Sequence, residues 1–128
     1  MKEGRQGNTK PTPKDRRESE RIPVFEFALL WRPNGTTSYR SGSAFITNAS
    51  IGGLQFKTNE RFSTKDNVML EIGYRDRTTI LPGAVRYVIE EENGNGVNTY
   101  GLKFTPKNKD ERIAIAEFIL SLCEKVVE

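Results

Sequence analysis

The chain has 128 residues, 35% of them apolar and 29% charged, with a formal net charge of +3, which suits one hydrophobic core plus a tail and excludes a wholly disordered protein. It contains no histidine and a single cysteine, Cys123, which excludes imidazole catalysis, a His-ligated metal and an internal disulfide. No apolar run approaches the roughly 18 residues of a membrane span, and no apolar stretch follows the basic N-terminus, so a cytoplasmic protein without membrane insertion is expected.

Residues 1–14 are polar, include Gly4, Gly7, Pro11 and Pro13, and show no periodicity; they read as a disordered tail. Residues 15–22 follow as a charged arm. Up to Arg21 the chain carries Lys2, Arg5, Lys10, Lys14, Arg16, Arg17 and Arg21 against Glu3, Asp15, Glu18 and Glu20. The whole net charge lies there, ahead of a neutral body. Such an arm suits an anionic partner, and equally a solvated tail.

From 23 to 105 the pattern changes to short apolar and β-branched runs: Val24–Trp31, Tyr39–Thr47, Leu54–Lys57, Asn67–Tyr74, Thr78–Glu90 and Thr99–Phe104. Turn signals separate them at Pro33-Asn34-Gly35, Gly52-Gly53, Arg75-Asp76-Arg77 and the Asn/Gly run at 93–96. Pro82-Gly83, inside the fifth run, predicts a bulge or bend, because proline cannot donate to a central ladder. Six short strands without intervening helices predict a small barrel or a compact sandwich.

The last segment, 108–127, has a helical period. Ile115, Phe118 or Ile119, Leu122 and Val126 form one apolar stripe. Asn108 followed by Glu111 fits an N-cap with its capping-box partner. The stripe is expected to face the core, and Cys123 is expected to be a small core residue rather than a reactive thiol. Glu90, Glu91 and Glu92 read as a solvated strand end. With no phosphate-binding or dinucleotide-type glycine loop either, no enzymatic activity is expected.

Two motifs carry a functional signal. Arg17-Glu18-Ser19-Glu20-Arg21, with Arg16 alongside, immediately precedes the first strand. Arginine forks pair bidentately with phosphate oxygens and with the O6/N7 edge of guanine, so this arm could clamp a ligand offering both. Asn48-Ala49-Ser50-Ile51-Gly52-Gly53 follows the second run. Its amide and hydroxyl can bond a base edge, and Gly52 and Gly53 permit positive φ and close backbone approach to a flat ligand. Taken singly, the first is also an ordinary charged surface turn and the second an ordinary inter-strand turn. Geometry joins them. With a hairpin loop at 33–38, strands one and two run out and back, placing both motifs at one end, within reach of one ligand.

The sequence resembles the PilZ domain family, marked by an Arg-x-x-x-Arg loop before the first strand and an Asp/Asn-x-Ser-x-x-Gly turn after the second. Gly83-Ala84-Val85-Arg86-Tyr87 is similar to the family's later Gly-x-Val-x-aromatic stretch. Tyr100-Gly101-Leu102-Lys103-Phe104 is similar to its final-strand Gly-x-x-Phe pattern. The likeness runs over roughly residues 15–125. It implies a six-stranded antiparallel β-barrel with one C-terminal α-helix, binding cyclic di-GMP and needing no cofactor. Arg17 and Arg21 would contact phosphate and guanine edges, Asn48 and Ser50 would bond a guanine, and Gly53 would let the turn approach it. Asn48 departs from the commoner aspartate, and its carbonyl accepts one guanine donor where a carboxylate accepts two. Tyr87 stands where tryptophan is frequent and would stack a base. Arg16, just before the arginine motif, implies a mutually stacked pair of ligands per chain.

The resemblance therefore implies a receptor whose ligand orders residues 15–21 onto the barrel and alters the surface offered to a downstream protein. A second reading is an interaction module of the same fold that binds no nucleotide; the intact motifs count against it. A third, a barrel for DNA or RNA, is disfavoured by the neutral body and by the lack of an exposed aromatic row.

Overall fold

The computed structural model describes residues 21–74, 76–91 and 95–127. The tail expected at 1–14, and the arm before Arg21, lie outside the described residues. Six strands follow in order: β1 Ile22–Asn34, β2 Thr37–Ser50, β3 Gly53–Thr58, β4 Asn67–Tyr74, β5 Arg77–Glu90 and β6 Asn98–Phe104. One helix, α1 Lys109–Val127, ends the chain. Every expected run falls inside one of these strands. All strand pairs are antiparallel, and they close into a barrel in the order β1-β2-β3-β6-β5-β4. The barrel reading holds, and the sandwich is excluded.

Alternation builds the core. Leu30, Ile46, Leu54, Phe56, Val68, Leu70 and Leu81 are fully buried inside the barrel, where close packing and loss of apolar surface to water stabilise it. Three buried aromatic rings pack together in this core. Phe56, Phe62 and Tyr100 lie at centroid distances of 5.4–6.2 Å. The buried Tyr100 hydroxyl donates to the Glu60 carbonyl at 3.0 Å and accepts from the Phe62 amide at 3.2 Å, so its polar atom is satisfied. Arg32 lies over the Phe62 ring at 4.0 Å and pairs with Glu60 at 3.2 Å.

Two turns differ from expectation. The β1–β2 connection is only Gly35-Thr36, because Pro33 pairs with Ser38 and Asn34 with Thr37; Gly35 takes φ +67° there, a left-handed value that glycine adopts without a Cβ clash. No register shift occurs at Pro82-Gly83, where β5 is continuous and Pro82 pairs with Met69. The Pro82 carbonyl accepts from the Thr105 amide at 3.0 Å. Its nitrogen faces that same side, one residue past the end of β6, so no ladder donor is lost there. The irregularity of β5 lies instead between Val85 and Tyr87.

The helix packs against β5 and, less extensively, β1. Ile115, Phe118 and Leu122 are buried, with Ile119 partly so; the Val126 side chain lies outside the described ones. Asn108 Oδ1 accepts from the Glu111 amide at 2.9 Å, so the predicted N-cap forms, while Glu111 Oε1 accepts from the Lys107 amide at 2.8 Å, one residue before the cap, in place of the expected reciprocal bond. Arg77 pairs with Glu117 at 3.0 Å and ties the start of β5 to the helix. Cys123 corrects its expectation: it is exposed, because it lies about 100° around the helix from Leu122 and off the buried stripe. A second correction concerns aromatics. Phe25 and Phe27 are 76% and 75% exposed on the outer face of β1, with Phe45 of β2 beside them at 6.3 and 5.1 Å. An exposed aromatic row therefore exists, since outward positions of β1 are apolar as well as inward ones.

Candidate ligand-binding site

The site is built by two bulges. In β2, Ala44 and Ile46 point inward, and strict alternation would send Asn48 inward too. The register with β3 instead skips Thr47, pairing Ile46 with Phe56 and then Asn48 with Gln55. One extra residue reverses the faces, so Ala49 is buried and Asn48 is presented outside. The same device operates in β5. Val85 points inward, and the register with β6 skips Arg86, pairing Val85 with Leu102 and then Tyr87 with Gly101. Tyr87 thereby turns outward, and Arg86, the bulged residue, is exposed.

These shifts align four residues across four strands: Asn48 on β2, Gln55 on β3, Gly101 on β6 and Tyr87 on β5. Gly101 supplies the gap. A Cβ there would overlap Cε2 and Cζ of Tyr87, so the ring lies across Gly101 and reaches β3. Gln55 Nε2 donates to the Tyr87 hydroxyl at 2.6 Å. Asn48 Nδ2 donates to Gln55 Oε1 at 2.7 Å. Arg21 Nη1 donates to Asn48 Oδ1 at 2.7 Å. The two sequence motifs thus meet in a direct hydrogen bond at one end of the β1–β2 hairpin, where Pro23 pairs with Asn48.

Beside this row lies a cleft of about 400 Å³, lined by Arg21, Ser50, Ile51, Gly52 and Gly53 on one side and by Arg86, Tyr87, Gly101, Leu102 and Lys103 on the other. Six of the eight expected ligand residues fall in or against it. Arg21, Ser50, Gly52, Gly53 and Tyr87 line the cleft, and Asn48 borders it through Arg21. Arg16 and Arg17 lie outside the described residues. Three residues were missed. Arg86 and Lys103 add cations to the wall; they sit inside the two later family-like stretches, but nothing in their spacing separates them from ordinary exposed strand charges. Gln55 emerges only once register is known.

The glycines are used differently from expectation. Among the described residues only Gly35, Gly96 and Lys65 have positive φ, so neither Gly52 nor Gly53 exploits a left-handed conformation. A Cβ on Gly53 would overlap the Leu102 carbonyl oxygen; its smallness serves strand approach. The Gly52 carbonyl accepts from the Phe104 amide at 2.9 Å, pinning the turn to β6. Ser50 is only 6% exposed, and its hydroxyl donates to the Gly53 carbonyl at 3.4 Å, which leaves the oxygen free to accept.

A cleft with arginine forks, a lysine, a tyrosine ring and an amide row can hold an anionic ligand bearing flat bases. Among the described residues no group of acidic, cysteine or histidine side chains could hold a metal, and no helix is long and apolar enough to cross a membrane.

A family model described as the PilZ domain matches residues 15–121. No curated protein matches the sequence. Solved structures do. The PilZ domain of CeSA from a cellulose-synthesizing bacterium is 18% identical with a TM-score of 0.61, over 80% of this chain and 97% of that one. MrkH of K. pneumonia in complex with c-di-GMP is 16% identical with a TM-score of 0.62, over 84% of this chain but 52% of that one. The PilZ domain of YcgR from Escherichia coli, with c-di-GMP, is 12% identical with a TM-score of 0.58, over 84% of this chain and 91% of that one. At these identities the likeness establishes the fold.

Proposed function

The chain belongs to the PilZ domain family, and on that premise we propose that it is a receptor for cyclic di-GMP that acts by binding, in the cytoplasm, without catalysis. The observation that carries this reading is the 2.7 Å bond from Arg21 to Asn48. It joins both motifs beside a cleft whose walls offer Arg21, Arg86 and Lys103. The c-di-GMP held by MrkH and by the YcgR domain supports the same ligand class here.

In this reading Arg17 and Arg21 clamp phosphate and guanine edges, Asn48 and Ser50 accept guanine donors, and Tyr87 stacks a base. Arg16 neutralises and covers a second ligand stacked on the first, giving two per chain. Binding draws residues 15–20 onto the barrel beside Arg21, which already bonds Asn48 there, and alters the surface that a downstream protein reads.

Titration calorimetry of the wild type against cyclic di-GMP, with single-stranded RNA as the control, tests the ligand. Saturable binding of the dinucleotide with a stoichiometry of two, falling to one in Arg16→Leu, is the expected result. Arg17→Ala and Arg21→Ala lose most of the affinity with unchanged melting. One ligand in the wild type removes the role given to Arg16. Absent binding contradicts the receptor reading in favour of an interaction module, and equal affinity for RNA contradicts the choice of ligand.

A further inference from the structure

Arg21, Asn48, Gln55 and Tyr87 form an unbroken hydrogen-bond chain with bonds of 2.7, 2.7 and 2.6 Å. Its polarity is set from one end. A guanidinium can only donate, so the Asn48 oxygen must face Arg21, the Asn48 amine must face the Gln55 oxygen, and the Gln55 amine must face Tyr87. The tyrosine hydroxyl closes the chain because it accepts as readily as it donates.

An asparagine needs such support. Its two ends differ, and a half-turn about the last side-chain bond would offer an amine where guanine N1–H and N2–H require an acceptor. A carboxylate at this position would have no wrong orientation. We propose that Gln55 is a positioning residue: with the polarity of the row set by Arg21, its Oε1 accepts from the Asn48 amine and so keeps the Asn48 carbonyl oxygen on the Arg21 side, beside the cleft. Arg21 holds the place at that oxygen that a guanine N–H donor takes on binding. This inference rests on the receptor reading for its ligand and on the hydrogen-bond row for its geometry. It also gives Tyr87 a second role, since its hydroxyl accepts from the Gln55 amine and holds that side chain in place independently of ring stacking.

The test is a cycle in two backgrounds. In the full chain, Gln55→Leu weakens cyclic di-GMP binding by about three- to tenfold, the worth of one hydrogen bond. Tyr87→Phe, which keeps the ring, does the same. In an Asn48→Asp background both changes alter affinity by less than about twofold, because a carboxylate needs no orienting. Equal losses in both backgrounds, or no loss in either, overturn the proposal. A ligand-free readout separates it from the receptor reading. The Asn48 side-chain amide resonances of the unliganded protein shift in Gln55→Leu and in Tyr87→Phe, and unchanged resonances overturn the positioning role whether or not the dinucleotide binds.

Discussion

A single absent Cβ at Gly101 decides whether Tyr87 can cross β6 to reach Gln55. Gly101→Ala therefore displaces the ring, and overpacking of this kind costs about 1–3 kcal/mol. Denaturant unfolding of the variant is expected to show that loss together with weakened ligand binding; a fully stable variant that binds normally would place the ring elsewhere. Tyr100 is the opposite case, a buried group used for structure. Tyr100→Phe leaves the Glu60 carbonyl and the Phe62 amide without the hydroxyl they share, at about 1–3 kcal/mol, with ligand affinity unchanged. At this scale the sequence was a partial guide. Residue types at 21, 48, 50 and 87 pointed to the site, but the reason for the Gly53 glycine did not show, because the Leu102 carbonyl it accommodates is 49 positions away in sequence.

Strands and helix were legible because their periods are local properties. Alternating runs placed β1 to β6, and the three- and four-residue spacing with Asn108 placed α1 and its cap. Asn108→Ala is expected to lower stability by about 0.5–2 kcal/mol without touching the cleft, as thermal melting with parallel ligand titration would show. The bulges at Thr47 and Arg86 were not legible. A bulge is a relation between two strands, and neither residue carries a local signature; the proline that did attract attention sits where its missing donor harms nothing. Since those bulges turn Asn48 and Tyr87 outward, the least readable feature of the elements is the one that forms the candidate site.

At the scale of the molecule, the barrel gathers residues from 21 to 103 at one cleft, while the exposed Phe25 and Phe27 stand on the outer face of β1. The cationic lining makes the proposed binding electrostatic in part, so raising salt from about 0.05 to about 0.5 M should weaken it several-fold as screening shortens. A salt-independent affinity would contradict the cationic clamp as a whole, Arg21 included. The most direct measurement is a backbone amide NMR titration of the full chain with cyclic di-GMP. The account predicts that shift changes concentrate at 15–21, at 48–55, at Arg86-Tyr87 and at 101–103, with little change at Phe25, Phe27 or along α1. Changes centred on the β1 aromatic face, or none at saturating ligand, would contradict it.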